Sequence, residues 1–176
     1  QRGGWVLEQQ FMDQMGSPYL MAHGMGIPVA DATAEINIPQ AGTYYVYART
    51  YNWTSPWTDA EGPGKFRPAL GGKLLKATLE HTGNSWQWQF AGKTVLKAGT
   101  TTLALKDLTG FDGRCDAIYL TTDANTQPAT WDAAETAALR TRLRQQQTVP
   151  AHQYDFVVVG GGIAGMCAAA SAARLG

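Results

Sequence analysis

AGTYYVYART, Ala41 to Thr50, is the stretch that decides the fold. Tyr44, Val46 and Ala48 alternate with Tyr45, Tyr47 and Arg49, the period of two expected of a strand with one face on a core and one partly solvated. Aromatic and β-branched residues fill it, and Ala41-Gly42 turns the chain into it after Pro39. A strand with one apolar face belongs in an antiparallel sheet.

Working outward, the text from Trp5 to about Thr122 repeats the same kind of signal. Trp5 to Glu8 suggests a first strand, followed by a long loop, Met12 to Asp31, rich in Gly, Pro and Met. Ala34 to Ile38 reads as a short strand, Ala69 to Leu79 as a hairpin about Gly71-Gly72, and Trp86 to Phe90 as a strand whose aromatics alternate with Gln87 and Gln89. That alternation assigns Trp86 and Trp88 to the core. Val95-Leu96, Thr101 to Leu105 and Ala117 to Thr121 complete roughly eight short strands, with a loop over Asp107 to Arg114. The pattern predicts a mainly β fold, an antiparallel sandwich of jelly-roll type over residues 1–122.

A polar connector with a helix follows over 123–150. Asp132 and Glu135 have capping-box spacing ahead of a helix from Ala133 to Gln147, with Arg140, Arg142 and Arg144 on its polar side as a solvated or domain-docking face. Residues 151–176 change character. In YDFVVVGGGIAGMCAAASAARLG, Tyr154 to Gly176, the apolar run Phe156 to Val159 reads as a buried parallel strand, then Gly160, Gly162 and Gly165 have the spacing GxGxxG, and a small-residue helix follows. Gly160 allows a tight turn, Gly162 leaves room for a pyrophosphate, and Gly165 lets the helix lie close to the sheet. No ribose-binding acid about 20 residues further on lies within these 176 residues, so this segment is expected to be the first βα unit of a larger, here truncated, Rossmann-type domain.

Composition narrows the partners. Fourteen Lys and Arg balance fourteen Asp and Glu, so nothing points to nucleic acid or an anionic membrane, and the longest apolar segment is too short to span a bilayer. The 16% of charged residues and the six Trp fit a β-rich protein with aromatic surface to account for. Cys115 and Cys167 fall in different expected domains and read as buried thiols rather than a disulfide.

Two resemblances add to this reading. The segment Tyr154 to Gly176 resembles the N-terminal fingerprint of FAD-dependent oxidoreductases, which implies that Gly160, Gly162 and Gly165 approach the FAD pyrophosphate. AGTYYVYART, GRCDAIYLT (Gly113 to Thr121) and the opening WVLEQQ (Trp5 to Gln10) resemble strands of the galactose-binding-like sandwiches that serve as carbohydrate-binding modules. The chain as a whole is similar to bacterial FAD-dependent oxidoreductases with a sandwich ahead of the flavin domain, some carrying a xanthan-lyase label, although no lyase base or nucleophile constellation is visible. The resemblance implies the front portion of a periplasmic or secreted oxidoreductase acting on a carbohydrate-related substrate, its partner being the rest of the flavin domain. The alternative is a carbohydrate-binding module, or a structural accessory domain, without activity of its own. In such modules, acids of the first and last strands hold a structural calcium, which carries over to Glu8 and Asp116; Gln10 stands where a second acid is common.

The aromatic loop Tyr51 to Pro68 supplies the candidate glycan site. Tyr51, Trp53, Trp57 and Phe111 offer flat apolar faces for a sugar ring, and Asn52, Asp59, Asp112 and Arg114 offer hydroxyl partners. The competing reading packs these aromatics beneath their own loop or against a flavin domain. His23, between Gly24 and Met21-Ala22, is a hydrogen-bonded loop residue or faces a substrate. No second His or Cys stands beside it at ligand spacing.

Overall fold

The computed structural model describes residues 1–128, 131–145, 153–160 and 162–175. These divide into two compact units, Gln1–Arg140 and Thr141–Gly176. Among the described residues the strands are β1 (Val6–Glu8), β2 (Tyr19–His23), β3 (Ala32–Ile38), β4 (Gly42–Thr50), β5 (Phe66–Leu70), β6 (Lys73–Leu74), β7 (Gln87–Leu96), β8 (Gly99–Asp107) and β9 (Phe111–Thr121). The helices are α1 (Met12–Met15), α2 (Ala133–Gln145) and α3 (Ile163–Leu175).

The strands form two antiparallel sheets, one in the order β1-β2-β9-β4-β7 and one in the order β3-β8-β5-β6. Each sheet has one apolar face, and the two faces close on each other as a sandwich. Tyr44, Val46 and Ala48 of β4 point into that core beside Trp5, Phe66, Leu70, Leu79 and Cys115. Trp5 meets Phe66 edge to face at 5.6 Å. The expected mainly β sandwich is therefore present, and β4 lies in it as the alternation requires.

Two strand assignments change. The expected loop Met12 to Asp31 contains α1 and a whole strand, β2, which fills the gap between β1 and β9. Val95-Leu96 is not separate but the end of β7, which runs on from Gln87 through a bulge: Gly92 pairs with Val46 and Phe90 with Tyr47, leaving Ala91 as the extra residue. That bulge reverses which face each residue takes. Ala91 and Leu96 are in the core, whereas Trp88 pairs with Arg49 on the outer face. Trp88 is buried there, but by Tyr119 at 6.1 Å, Trp131 at 6.1 Å and a hydrogen bond to Thr136 Oγ1, not by the opposite sheet. Trp86 is half-buried in a separate cluster with Phe11, Tyr19 and Tyr51. Both were expected in the core: Trp88 is buried, though outside the cluster between the sheets because the bulge at Ala91 turns it to the other face, and Trp86 is only half-buried.

The capping box at the start of α2 forms in both directions, each at 2.8 Å: Asp132 N–H donates to Glu135 Oε2, and Glu135 N–H donates to Asp132 Oδ1. Of the two roles expected for the arginines, a solvated or a docking face, Arg140 takes the second, against the sandwich. Its guanidinium reaches back to Asp116, to the Met15 carbonyl and to Ser17 Oγ. Arg142 is exposed.

In the second unit α3 forms as read, but the run Phe156 to Val159 makes no ladder. Phe156, Val157 and Val159 are 62%, 64% and 94% exposed. A strand exists through its neighbours' hydrogen bonds, and among the described residues no segment supplies them here. Cys167, expected buried, is exposed on α3, while Cys115 is buried in the sandwich.

Candidate functional site

The end of the sandwich where β4 runs out, β9 begins and β2 stops gathers most of the expected site residues. Asn52 starts the long loop: its buried side-chain oxygen accepts from the Thr54 N–H at 3.2 Å and the Thr54 hydroxyl at 2.9 Å, an Asx-type turn. The Asn52 side-chain oxygen is thereby engaged by Thr54, while the residue still lines the cavity described below. Gly62 presses on it so closely that a Cβ would lie 2.0 Å from Asn52 Oδ1.

Trp53 is anchored. Its indole N–H donates to the Phe111 carbonyl at 3.1 Å, and the Arg114 guanidinium lies 5.5 Å from the ring centroid. Arg114 also donates to the Asp112 carbonyl at 2.7 Å. Trp57 meets Trp53 edge to face, at 6.4 Å and 68°, and is itself 76% exposed. The two indoles are thus not a coplanar pair: Trp53 props the loop and Trp57 presents the free face. Tyr51 leaves the group, stacking on Trp86 at 5.6 Å. Phe111 is partly exposed, its ring against Gly26 of the neighbouring loop. So Trp53, Trp57, Phe111, Asp112 and Arg114 come together, and Tyr51 does not join them.

His23 joins them unexpectedly. Its Nδ1 lies 2.5 Å from Asp112 Oδ1, and Asp112 adopts φ +60°. A non-glycine residue held in the left-handed region is uncommon and costs energy. Sequence reading treated the two as unrelated because 89 residues separate them.

The loop that carries Trp57 also borders a cavity of about 410 Å³, lined chiefly by Asn52, Ser55, Asp59, Glu61, His81 and Asn84. Asn52 and Asp59 of these were anticipated. Lys65 pairs with Glu61 at 3.2 Å. The lining is dense in hydroxyls, carboxylates and amides, the chemistry that recognises a polyhydroxylated ligand.

Glu80 lies beneath the same loops. It is 1% exposed, has φ +79°, and neither carboxylate oxygen receives a hydrogen bond. Gly64 and Gly113 leave room for it; a Cβ on Gly64 would lie 2.1 Å from Oε2. Burial pushes this carboxyl well above the usual glutamate range, against the favourable charge of Arg114. A carboxyl with a raised folded-state value holds its proton in the native chain after the unfolded chain has lost it. Its contribution is most favourable below the ordinary glutamate value and is lost as pH rises toward the raised one. Glu80→Gln is therefore expected to gain stability over the native chain progressively in thermal melts as pH rises above the ordinary glutamate range. A difference independent of pH would contradict this.

The acids proposed for calcium are placed otherwise. Asp116, with 0% side-chain exposure, accepts from Arg49 at 3.2 Å, from Ser17 Oγ at 3.1 Å and from Arg140. Glu8 is on β1, opposite Tyr19 of the intervening strand. Two guanidinium groups supply the positive charge a cation would bring, and among the described residues no three His, Cys, Asp or Glu side chains are grouped to hold a metal.

The glycines of the second unit match part of their expected roles. Gly160 has φ +113°, and a Cβ on Gly165 would lie 2.2 Å from the Gly160 carbonyl oxygen, so only glycine permits this approach. A Cβ on Gly162 would meet nothing within 4 Å. Among the described residues, no neighbouring strands of a flavin-binding sheet flank these glycines.

No protein-family description matches the sequence, and no curated protein matches it either. Solved structures do match in shape. A family 35 carbohydrate-binding module from Clostridium thermocellum superimposes with a TM-score of 0.52 at 19% identity, covering 68% of this chain and 89% of that one. The Podospora anserina GH26-CBM35 β-(1,4)-mannanase gives 0.53 at 17%, covering 71% of this chain and 26% of that one. A family 35 module from an environmental isolate gives 0.50 at 22%, covering 74% and 94%. At these identities the likeness is one of fold: the antiparallel β-sandwich of this chain is similar to that of family 35 carbohydrate-binding modules.

Proposed function

We propose that the sandwich is a carbohydrate-binding module that takes a glycan at the loop end, with Trp57 as the stacking face and the polar cavity bordered by the same loop as the source of hydrogen bonds. The observation that carries this reading is Trp57 itself, an indole 76% exposed on the same loop that supplies Asn52, Ser55, Thr58 and Asp59 to a polar cavity. An exposed rigid aromatic gives stacking area at little entropic cost, and adjacent polar groups replace the water that sugar hydroxyls lose. The fold shared with proteins whose names describe carbohydrate binding supports it. A periplasmic or secreted setting goes with this reading.

Trp57→Ala is expected to weaken binding to a retained neutral polysaccharide at least about tenfold in affinity gel electrophoresis, a loss of about 1.4 kcal/mol. The melting temperature should stay within a degree or two, because the ring is mostly in solvent. Retention unchanged in the variant, or no retention by any polysaccharide of a broad panel, contradicts the reading.

A second reading keeps the sandwich as an accessory to an FAD-dependent oxidoreductase, and the positive φ of Gly160 with the close approach at Gly165 favours it. FAD would supply hydride acceptance; this chain's own contribution would be the N–H groups at the start of α3 and the space over Gly162. A flavin absorption band on the purified protein supports this reading, and a colourless protein that quenches no flavin fluorescence on titration removes it.

A further inference from the structure

A second groove lies on the sandwich, sharing no residue with the loop end. It forms where the chain after β6 crosses β7, the edge strand of its sheet. The bulge at Ala91 bends β7 there, and Ala77 N–H donates to the Ala91 carbonyl at 3.1 Å. Gly92, at φ +135°, leaves the depth: a Cβ on it would lie 3.6 Å from Lys76 N. The resulting groove has a volume of about 680 Å³.

Its lining has one sign of charge. Lys73, Lys76 and Lys93 border it together with Tyr45, Leu74 and Phe90, and no Asp or Glu does. In a chain whose formal charge is zero, three cations around one groove without an acid is a local excess. All three lysines are exposed, and among the described residues none has a carboxylate within ion-pair distance. The rings give the groove a flat wall. Phe90, 47% exposed, lies 5.1 Å from Tyr47 and 6.5 Å from Tyr45, tilted by 49° and 31°.

Each half of this combination calls for a different part of one ligand. The exposed half of the Phe90 ring offers stacking to the C–H face of a pyranose, and the ammonium groups around it, unpaired with any carboxylate among the described residues, offer charge-assisted hydrogen bonds to anions at intervals along a chain. We propose that this groove binds a segment of an acidic polysaccharide, with a uronate ring on Phe90 and its carboxylates, and those of neighbouring units, on Lys73, Lys76 and Lys93. The groove shares no lining residue with the cavity at the loop end, so the two are tested separately.

The test uses the full chain in affinity electrophoresis against polygalacturonate, with sulfated dextran, a single-stranded polynucleotide and a neutral mannan in parallel gels. Binding to polygalacturonate is expected, stronger than to the sulfated or nucleotide polymers, and weakened by added salt. Lys76→Glu with Lys93→Glu should reduce it at least about tenfold, and Phe90→Ala several-fold, while Trp57→Ala leaves it unchanged. Lys76→Gln with Lys93→Gln, which adds no repulsion, should fall between, and thermal melts of each variant confirm that the sandwich is intact. No retention by polygalacturonate, equal retention by all three polyanions, or loss through Trp57→Ala rather than through the lysine and Phe90 variants overturns the groove. The loop-end reading stands or falls separately, on the neutral polysaccharides.

Discussion

Asp116→Ala is expected to destabilise the sandwich by about 3–5 kcal/mol, because it strands a buried guanidinium without its carboxylate. Asp116 has 0% side-chain exposure and Arg49 6%; Arg140 closes over the pair from α2 at 21%. Burial pulls the Arg49 guanidinium below its ordinary value and Asp116 acts against that pull, so removing Asp116 leaves only the unfavourable part. The loss extends beyond one pair. Arg140 also donates to the Met15 carbonyl and to Ser17, so the anchor that holds α1 and the Arg140 turn of α2 on the outer face of the sheet weakens with it. Guanidinium chloride unfolding of the native chain and the variant measures this directly. The control is Arg49→Met with Asp116→Leu and Arg140→Met, which removes the charge of all three partners and should cost clearly less than Asp116→Ala alone. A loss below about 1 kcal/mol, the size usual for a surface pair, would mean that solvent reaches these groups.

Phe66→Ala is expected to cost a similar amount, about 3–5 kcal/mol, by a different route. Phe66 opens β5, is 0% exposed, and packs edge to face on Trp5 across the sandwich. Its backbone also bridges to Leu79, whose N–H donates to the Phe66 carbonyl at 2.9 Å. Truncation leaves a cavity between the two sheets that neither ladder can close, since both are fixed by their hydrogen bonds. Phe66→Leu keeps most of the volume and should lose less than half as much. Against a typical total of about 5–15 kcal/mol, either large loss brings the domain near its folding threshold. An unfolding midpoint unchanged in Phe66→Ala would contradict the placement of the core.

What could be read from sequence was what local pattern decides. β4 alternates over nine residues and declared its inner face; the capping box of α2 depends on residues three apart. β2 could not be read, because Tyr19-Leu20-Met21-Ala22-His23 does not alternate and its stability comes from two flanking strands, one of them ninety residues away. Trp88 was assigned the wrong face because a one-residue bulge inverts the phase of β7, and nothing in the glutamine alternation announces a bulge.

The site divides in the same way. The richness of the Tyr51 to Pro68 loop in aromatics was legible, and so was its proximity to Phe111, Asp112 and Arg114. Which indole faces solvent was not, since Trp53 is held by Phe111 and Arg114, both more than fifty residues on. Asp116 reads locally as one acid in a strand; its partners Arg49 and Arg140 lie 67 and 24 residues away. The polar cavity draws His81 and Asn84 from the far side of the hairpin and Asp59 from the loop, a meeting that only the folded sandwich brings about.

The most direct test of the central claim is a titration of the isotope-labelled chain with neutral oligosaccharides, followed by the indole and backbone amide resonances in two-dimensional NMR. The carbohydrate-binding reading predicts saturable shifts confined to Trp57, Trp53 and the cavity residues Ser55, Asp59 and Asn84, with the Trp88 indole under α2 unmoved. Shifts absent from that end, or centred on Trp88 and the α2 face, would contradict it.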